Sequence, residues 1–133
     1  MNGRSIAALS GARFATIIHP QSYVAASAAI GTGTIIAPFA FVGPEARIGN
    51  HCVLNTHVSA GHESTMSDGC VLSPAASLHG GARLETGVFL GSHACVLRVT
   101  IGPKARIAAG AVAYGDVPGG AFALGNPAAF KAA

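Results

Sequence analysis

Aliphatic side chains recur every six residues along most of this chain. Stepping from Ile18 to Val96 by six visits fourteen positions, and all but Ala60 are Val, Ile, Leu or Met. Those four types make up 29 of 133 residues, so chance would put about three there. A second column runs four places after each aliphatic, from Ser22 to Ala94, and every member is small or β-branched. The residue just after the aliphatic is often glycine, as at Gly31, Gly43, Gly49, Gly61 and Gly91. A period of six is neither the 3.6 of a helix nor the 2 of an ordinary strand. It predicts a solenoid of short strands joined by tight corners, each edge turning one aliphatic inward. Three hexads make one triangular coil of eighteen residues, and stacked coils pair in parallel about 4.8 Å apart.

The register slips once. The unit Val96-Leu97-Arg98-Val99-Thr100 has five residues, after which the pattern resumes at Ile101, Ile107 and Ala113. The expected organisation is therefore an N-terminal extension or linker over residues 1–15, an all-β helix of about five to six coils over 16–117, and a C-terminal tail over 118–133.

Residues eighteen apart should stack on neighbouring coils. Cys52 and Cys70 are such a pair. Both fall in the small inward column, where a thiol behaves as a small hydrophobe; a disulfide is the alternative that the spacing allows. His57 and His93 are two coils apart, almost 10 Å, too far to share a metal. His79 stacks over Gly61 and so lies beside His62.

Composition narrows the function. Half of the residues are hydrophobic, 10% are charged and there is no Trp. This excludes a charged coiled coil or a disordered charged tail. The net charge of +3 comes from scattered Lys and Arg, without the dense basic footprint of nucleic-acid binding. No apolar run approaches a membrane span. Three Cys and no recognisable export signal favour a reducing, cytoplasmic setting.

The most polar stretch of the repeat is Leu54-Asn55-Thr56-His57-Val58-Ser59-Ala60-Gly61-His62-Glu63. His62 falls two places after an inward position, which puts it at a corner and pointing out. A neutral imidazole suits deprotonation of an amine or hydroxyl attacking a thioester. Glu63 beside it would orient the ring. The plainer reading is an exposed corner His-Glu pair with no chemistry.

The repeat resembles the hexapeptide-repeat acyltransferases, which fold as left-handed parallel β-helices. Asn55-Thr56, His62-Glu63, Ser73-Pro74 and Gly80-Gly81 look like the sialic-acid and bacillosamine-type sugar O/N-acetyltransferases. The ending, Asp116-Val117-Pro118 and Gly125-Asn126-Pro127-Ala128, is similar to the usual close of that family. The resemblance implies an acetyl-CoA-dependent transfer to an amine or hydroxyl of a sugar, with a nucleotide-linked amino sugar as acceptor. It makes His62 the general base and Glu63 its tuning partner. It gives Asn55 and His79 to the acceptor and Gly80, Ser92 and Ala109 to the thioester and pantetheine. Lys104 and Arg106 lie on the late coils, where they would meet the CoA phosphates or else form a solvated face. It further implies a homotrimer with acetyl-CoA between subunits, and no metal.

Three departures accompany the resemblance. The chain begins near the point where many relatives leave a nucleotide-sugar-binding domain. Val71 stands where many carry a His that helps hold acetyl-CoA. The short unit at Val96 to Thr100 falls close to the expected cofactor groove.

Two other functions remain open. The same fold supports γ-type carbonic anhydrases, which bind zinc through three His from two subunits, and His57 and His62 have a suggestive spacing. Their registers against the inward positions differ from that family's, and no third His matches. The other alternative is a non-catalytic β-helix acting as scaffold or partner subunit.

Overall fold

The computed structural model describes residues 11–131. Residues 1–10, most of the expected N-terminal extension, lie outside the described residues.

Short parallel strands form three sheets. The first stacks Ile17–Ile18, Ile35–Ile36, Val53–Leu54, Val71–Leu72, Phe89–Leu90, Arg106–Ile107 and Phe122–Leu124, with Ala129–Lys131 added antiparallel. The second runs from Tyr23–Val24 to Val112–Ala113, and the third from Ala29–Ile30 to Thr100–Ile101. The chain visits the sheets in turn, so it winds as a triangular β-helix. Register follows the eighteen-residue rule: Ile36 pairs with Leu54, and Leu54 with Leu72. No helix is assigned among the described residues, so none is long and apolar enough to cross a membrane.

Apart from Phe122–Leu124 and Ala129–Lys131, each strand is only two residues long because the sheet turns at once into a corner. The inward residue of each pair is an aliphatic, and Leu54, Leu72 and Leu90 are fully buried. The small column closes the corners: Ala46, Cys52, Cys70, Ala76, Ala82 and Ala94 show no exposure. Burying one such leucine stabilises the fold by about 1.5–3 kcal/mol. Thr34 is the polar exception that is satisfied, since its buried Oγ1 donates to Gly49 O at 2.8 Å and accepts Cys52 N–H at 3.1 Å.

Regular corners are four-residue turns. Ser64 N–H donates to Gly61 O at 3.2 Å, and Glu63 at the third place has φ of 58°. This is the signature of a type II turn, whose third residue must be left-handed. Glycine occupies that place at Gly33, Gly69, Gly81 and Gly87, whereas Glu45, His51, His57, Glu63, Ala75, His93 and Lys104 adopt the same conformation with a side chain.

Cys52 and Cys70 are free thiols, both buried, and they donate to Ser67 O at 3.2 Å and Glu85 O at 3.1 Å. The neighbouring Cys52 thiol and burial together push the Cys70 thiol well above its ordinary value.

The β-helix runs past Val117, where the repeat was expected to stop. Ala121 and Ala123 are fully buried, and Phe122–Leu124 pairs with Arg106–Ile107. Beyond Val117 the fully buried core positions are the alanines Ala121 and Ala123. Residues 118–131 thus include two short strands, Phe122–Leu124 and Ala129–Lys131, joined by a turn.

Candidate active site

The three corners of the triangle divide the candidate residues. The corner between the first and second sheets holds Asn55, Ser92 and Ala109. The corner between the second and third holds His62, Glu63, Gly80 and, at its start, His79. Lys104 lies on the corner leading back to the first sheet, and Arg106 on that sheet's outer face.

His62 takes the second place of its turn, one before the left-handed Glu63. Its backbone sits against Gly43 on one side and Gly80-Gly81 on the other. A Cβ on Gly43 would come within 2.8 Å of His62 N. That position must be glycine for the coils to close here. Both side chains project outward and are mostly exposed, His62 at 64% and Glu63 at 69%. His62 Nδ1 lies 3.3 Å from Glu63 Oε1. A carboxylate facing Nδ1 favours the tautomer with its proton there and its lone pair on Nε2. A Cβ built on Gly80 would collide with Nε2. The free nitrogen therefore lies over Gly80, where a glycine on the next coil leaves room for it. A proton acceptor fixed by a carboxylate is the arrangement that general-base chemistry needs.

His79 stands on the coil next to His62, as the stacking rule requires. Its Nε2 contacts Cys95 Sγ at 3.2 Å, a partner that sequence reasoning missed. The pair is sixteen apart rather than eighteen, so column arithmetic does not join them; the His79 side chain reaches across the edge.

Asn55 spends its amide on the fold: Nδ2 donates to Leu72 O at 2.8 Å on the next coil. Arg106 stacks on Phe89, 5.0 Å from the ring centroid. His57 stands at the same corner as Asn55, its ring 5.3 Å from that of Phe39, and so at a different corner from His62. Among the described residues no three His, Cys, Asp or Glu side chains converge as metal ligands.

Beside His62 the short unit opens a notch. A regular turn closes as Ala82 N–H to His79 O, whereas here Val99 N–H donates to Leu97 O at 2.7 Å. The corner above is shorter still, because Val117, only four residues after Ala113, already pairs with Ile101. The two shortened corners leave a cavity of about 320 Å³ lined by Glu63, Gly81, Arg83, Arg98, Thr100 and Asp116. The five-residue unit signalled it, but its consequence for the surface could not be read from spacing.

No protein-family model matches the chain, and no curated protein does. Solved structures do. One is a variant of perosamine N-acetyltransferase from Caulobacter crescentus in complex with CoA and GDP-perosamine. It is 31% identical, with a TM-score of 0.93 over 98% of this chain and 62% of that one. The acetyltransferase domain of PglB from Neisseria gonorrhoeae, in complex with acetyl coenzyme A, is 31% identical. Its TM-score is 0.64 over 95% of this chain and 62% of that one. The chain's structural neighbours are sugar N-acetyltransferases of the hexapeptide-repeat family. WeeI from Acinetobacter baumannii shares the fold at 23% identity, with a TM-score of 0.90 over 96% of this chain and 63% of that one. The chain thus spans about three fifths of the length of these proteins.

Proposed function

We propose that the protein is an acetyl-CoA-dependent acyltransferase that acetylates an amine or hydroxyl of a sugar, the acceptor being a nucleotide-linked amino sugar. The observation that carries this reading is the fixed imidazole: Glu63 on Nδ1, and Nε2 free over Gly80. Its support is the 31% identity to a perosamine N-acetyltransferase across 98% of the chain.

In this mechanism Nε2 of His62 takes the proton as the acceptor nitrogen or oxygen attacks the thioester carbon. The carbonyl oxygen becomes an oxyanion, for which the backbone N–H of Gly80 is the donor at hand. The carbonyl reforms as the C–S bond breaks, and CoA thiolate leaves with the proton returned from His62. No covalent enzyme intermediate is needed.

The working unit is a homotrimer with each site between two subunits. Ser92 and Ala109 sit at a different corner from Gly80 and His62, so a cofactor touching both sets lies where two copies meet. The first sheet's outer face supports association, with Ile17 and Ile35 exposed at 57% and 42% beside Val53, Val71 and Phe89. Lys104 and Arg106 serve the CoA phosphates, with Arg106 released from Phe89 when CoA binds. The cytoplasm, where acetyl-CoA is supplied, is the proposed location.

The test is acetyl transfer from acetyl-CoA to a panel of free, phosphorylated and nucleotide-linked amino sugars. Thioester loss dependent on one acceptor class is expected. No turnover on any of them, with no CoA binding by calorimetry, would overturn the reading in favour of a scaffold.

A further inference from the structure

We propose that the notch beside His62 is an oxyanion subsite of the acceptor, in which Arg98 and Arg83 together hold a phosphate or carboxylate carried by the sugar. The proposal deepens the acyltransfer reading and rests on it for the identity of the ligand as acceptor; the subsite itself does not depend on it.

The two arginines reach the notch by different routes. Arg83 is the outward residue of a third-sheet strand, between Thr65 and Thr100. Arg98 belongs to the five-residue unit, whose missing residue brings its side chain down over Gly81. A Cβ on Gly81 would lie 2.8 Å from Arg98 Nε. Gly80 and Gly81 thus form one floor, with His62 over the first and Arg98 over the second. Their Cα atoms are about 3.8 Å apart. A molecule gripped by Arg98 therefore has its neighbouring atoms within reach of the catalytic nitrogen.

The charges in the notch are unevenly committed. Asp116 Oδ1 accepts Thr100 N–H at 2.8 Å, and Glu63 Oε1 faces His62 Nδ1 at 3.3 Å. Among the described residues neither Arg83 nor Arg98 has an ion pair or a hydrogen bond from its side chain, and the one ion pair is His62 with Glu63. Each guanidinium offers five donors and no acceptor. Formal charge in the notch sums to zero, so an anion is held by direct forked contact rather than by a long-range field. That geometry suits phosphate and carboxylate. The volume of about 320 Å³ lies at the low end for small-molecule sites. It fits one anionic head group and part of a sugar ring, not a whole coenzyme.

Two measurements test this. Inorganic pyrophosphate and galacturonate are titrated by calorimetry into the wild-type chain, Arg98→Gln and Arg83→Gln. Binding to the wild type, weakened about tenfold or more in each variant, is expected. Preference for pyrophosphate identifies a nucleotide or phosphate as the source, and preference for galacturonate a sugar acid. No binding of either probe, or equal affinity in all three proteins, overturns the proposal. In the second arm, the ratio of kcat/KM for glucosamine 6-phosphate to that for glucosamine should fall about tenfold in Arg98→Gln, with the KM for acetyl-CoA unmoved. An equal fall on both acceptors, or a shift confined to acetyl-CoA, overturns it. Arg98→Lys, which keeps the charge but not the fork, replaces Arg98→Gln if that variant melts early. A wild type that transfers no acetyl group would defeat the acyltransferase reading, while the titration would still decide the subsite.

Discussion

His57 and His62 are five residues apart, both exposed, and each stands at a corner of the same coil, yet their surroundings differ in every respect that matters for chemistry. His57 occupies the left-handed third place of its turn, whereas His62 occupies the second place and hands the left-handed one to Glu63. His57 packs against the Phe39 ring and, among the described residues, has no ion pair with a carboxylate. His62 has a carboxylate on one nitrogen, a glycine under the other and a polar notch alongside. The difference of one place in a turn decides whether an imidazole leans on its own column or sits beside a carboxylate and over a glycine. An exposed histidine carries little information until its turn position is known.

The largest effect should come from exchanging the two histidines for alanine in turn. His62→Ala should lower kcat for acetyl transfer by 10² or more, while His57→Ala should change it by less than about twofold. Equal losses would remove the distinction between the corners. Gly80→Ala should follow, because its Cβ enters the space of the His62 ring. A fall in kcat of about tenfold or more is expected, with the melting temperature little changed, since an exposed side chain can swing away. Ala75→Gly, at the His57 corner, should leave kcat as it was.

Glu63→Gln keeps the turn and the size of the side chain but removes the charge facing Nδ1. A drop in kcat of about tenfold is expected, with little change in the KM for acetyl-CoA. The smallest effect contrasts outside with inside. Iodoacetamide should label the half-buried Cys95 in the folded chain and reach Cys52 and Cys70 only on unfolding, read by mass spectrometry. The folded chain holds the Cys70 proton more tightly than the unfolded chain, whose thiol ionises near 9.0. The stability from this group is therefore complete below that pH and declines above it. A thermal-melt series above pH 9 should show the decline, and Cys70→Ala should lessen it.

Much of the molecule was legible before any coordinates. The alternation of Leu54, Leu72 and Leu90 with the small column reported a coil of eighteen residues, because a stacked solenoid repeats its environment at a fixed step. The stacking of Cys52 on Cys70 and the nearness of His79 to His62 followed by arithmetic. The end of the core did not, because Ala121 and Ala123 carry no aliphatic signal. The contact of Cys95 with His79 was hidden for another reason: it depends on side-chain reach, which column positions do not encode.

What the sequence by itself determined is the β-helix, its register and the outward corner of His62 with Glu63, since each follows from period and parity along one strand of chain. Only the tertiary structure decided which nitrogen of His62 faces Glu63, which lies over Gly80, and which corners stand apart. It also decided that a missing residue at Val96 to Thr100 opens a cavity between two arginines. These depend on what lies one coil above and on side-chain direction, and a deletion in one coil acquires its shape only from the neighbours stacked against it.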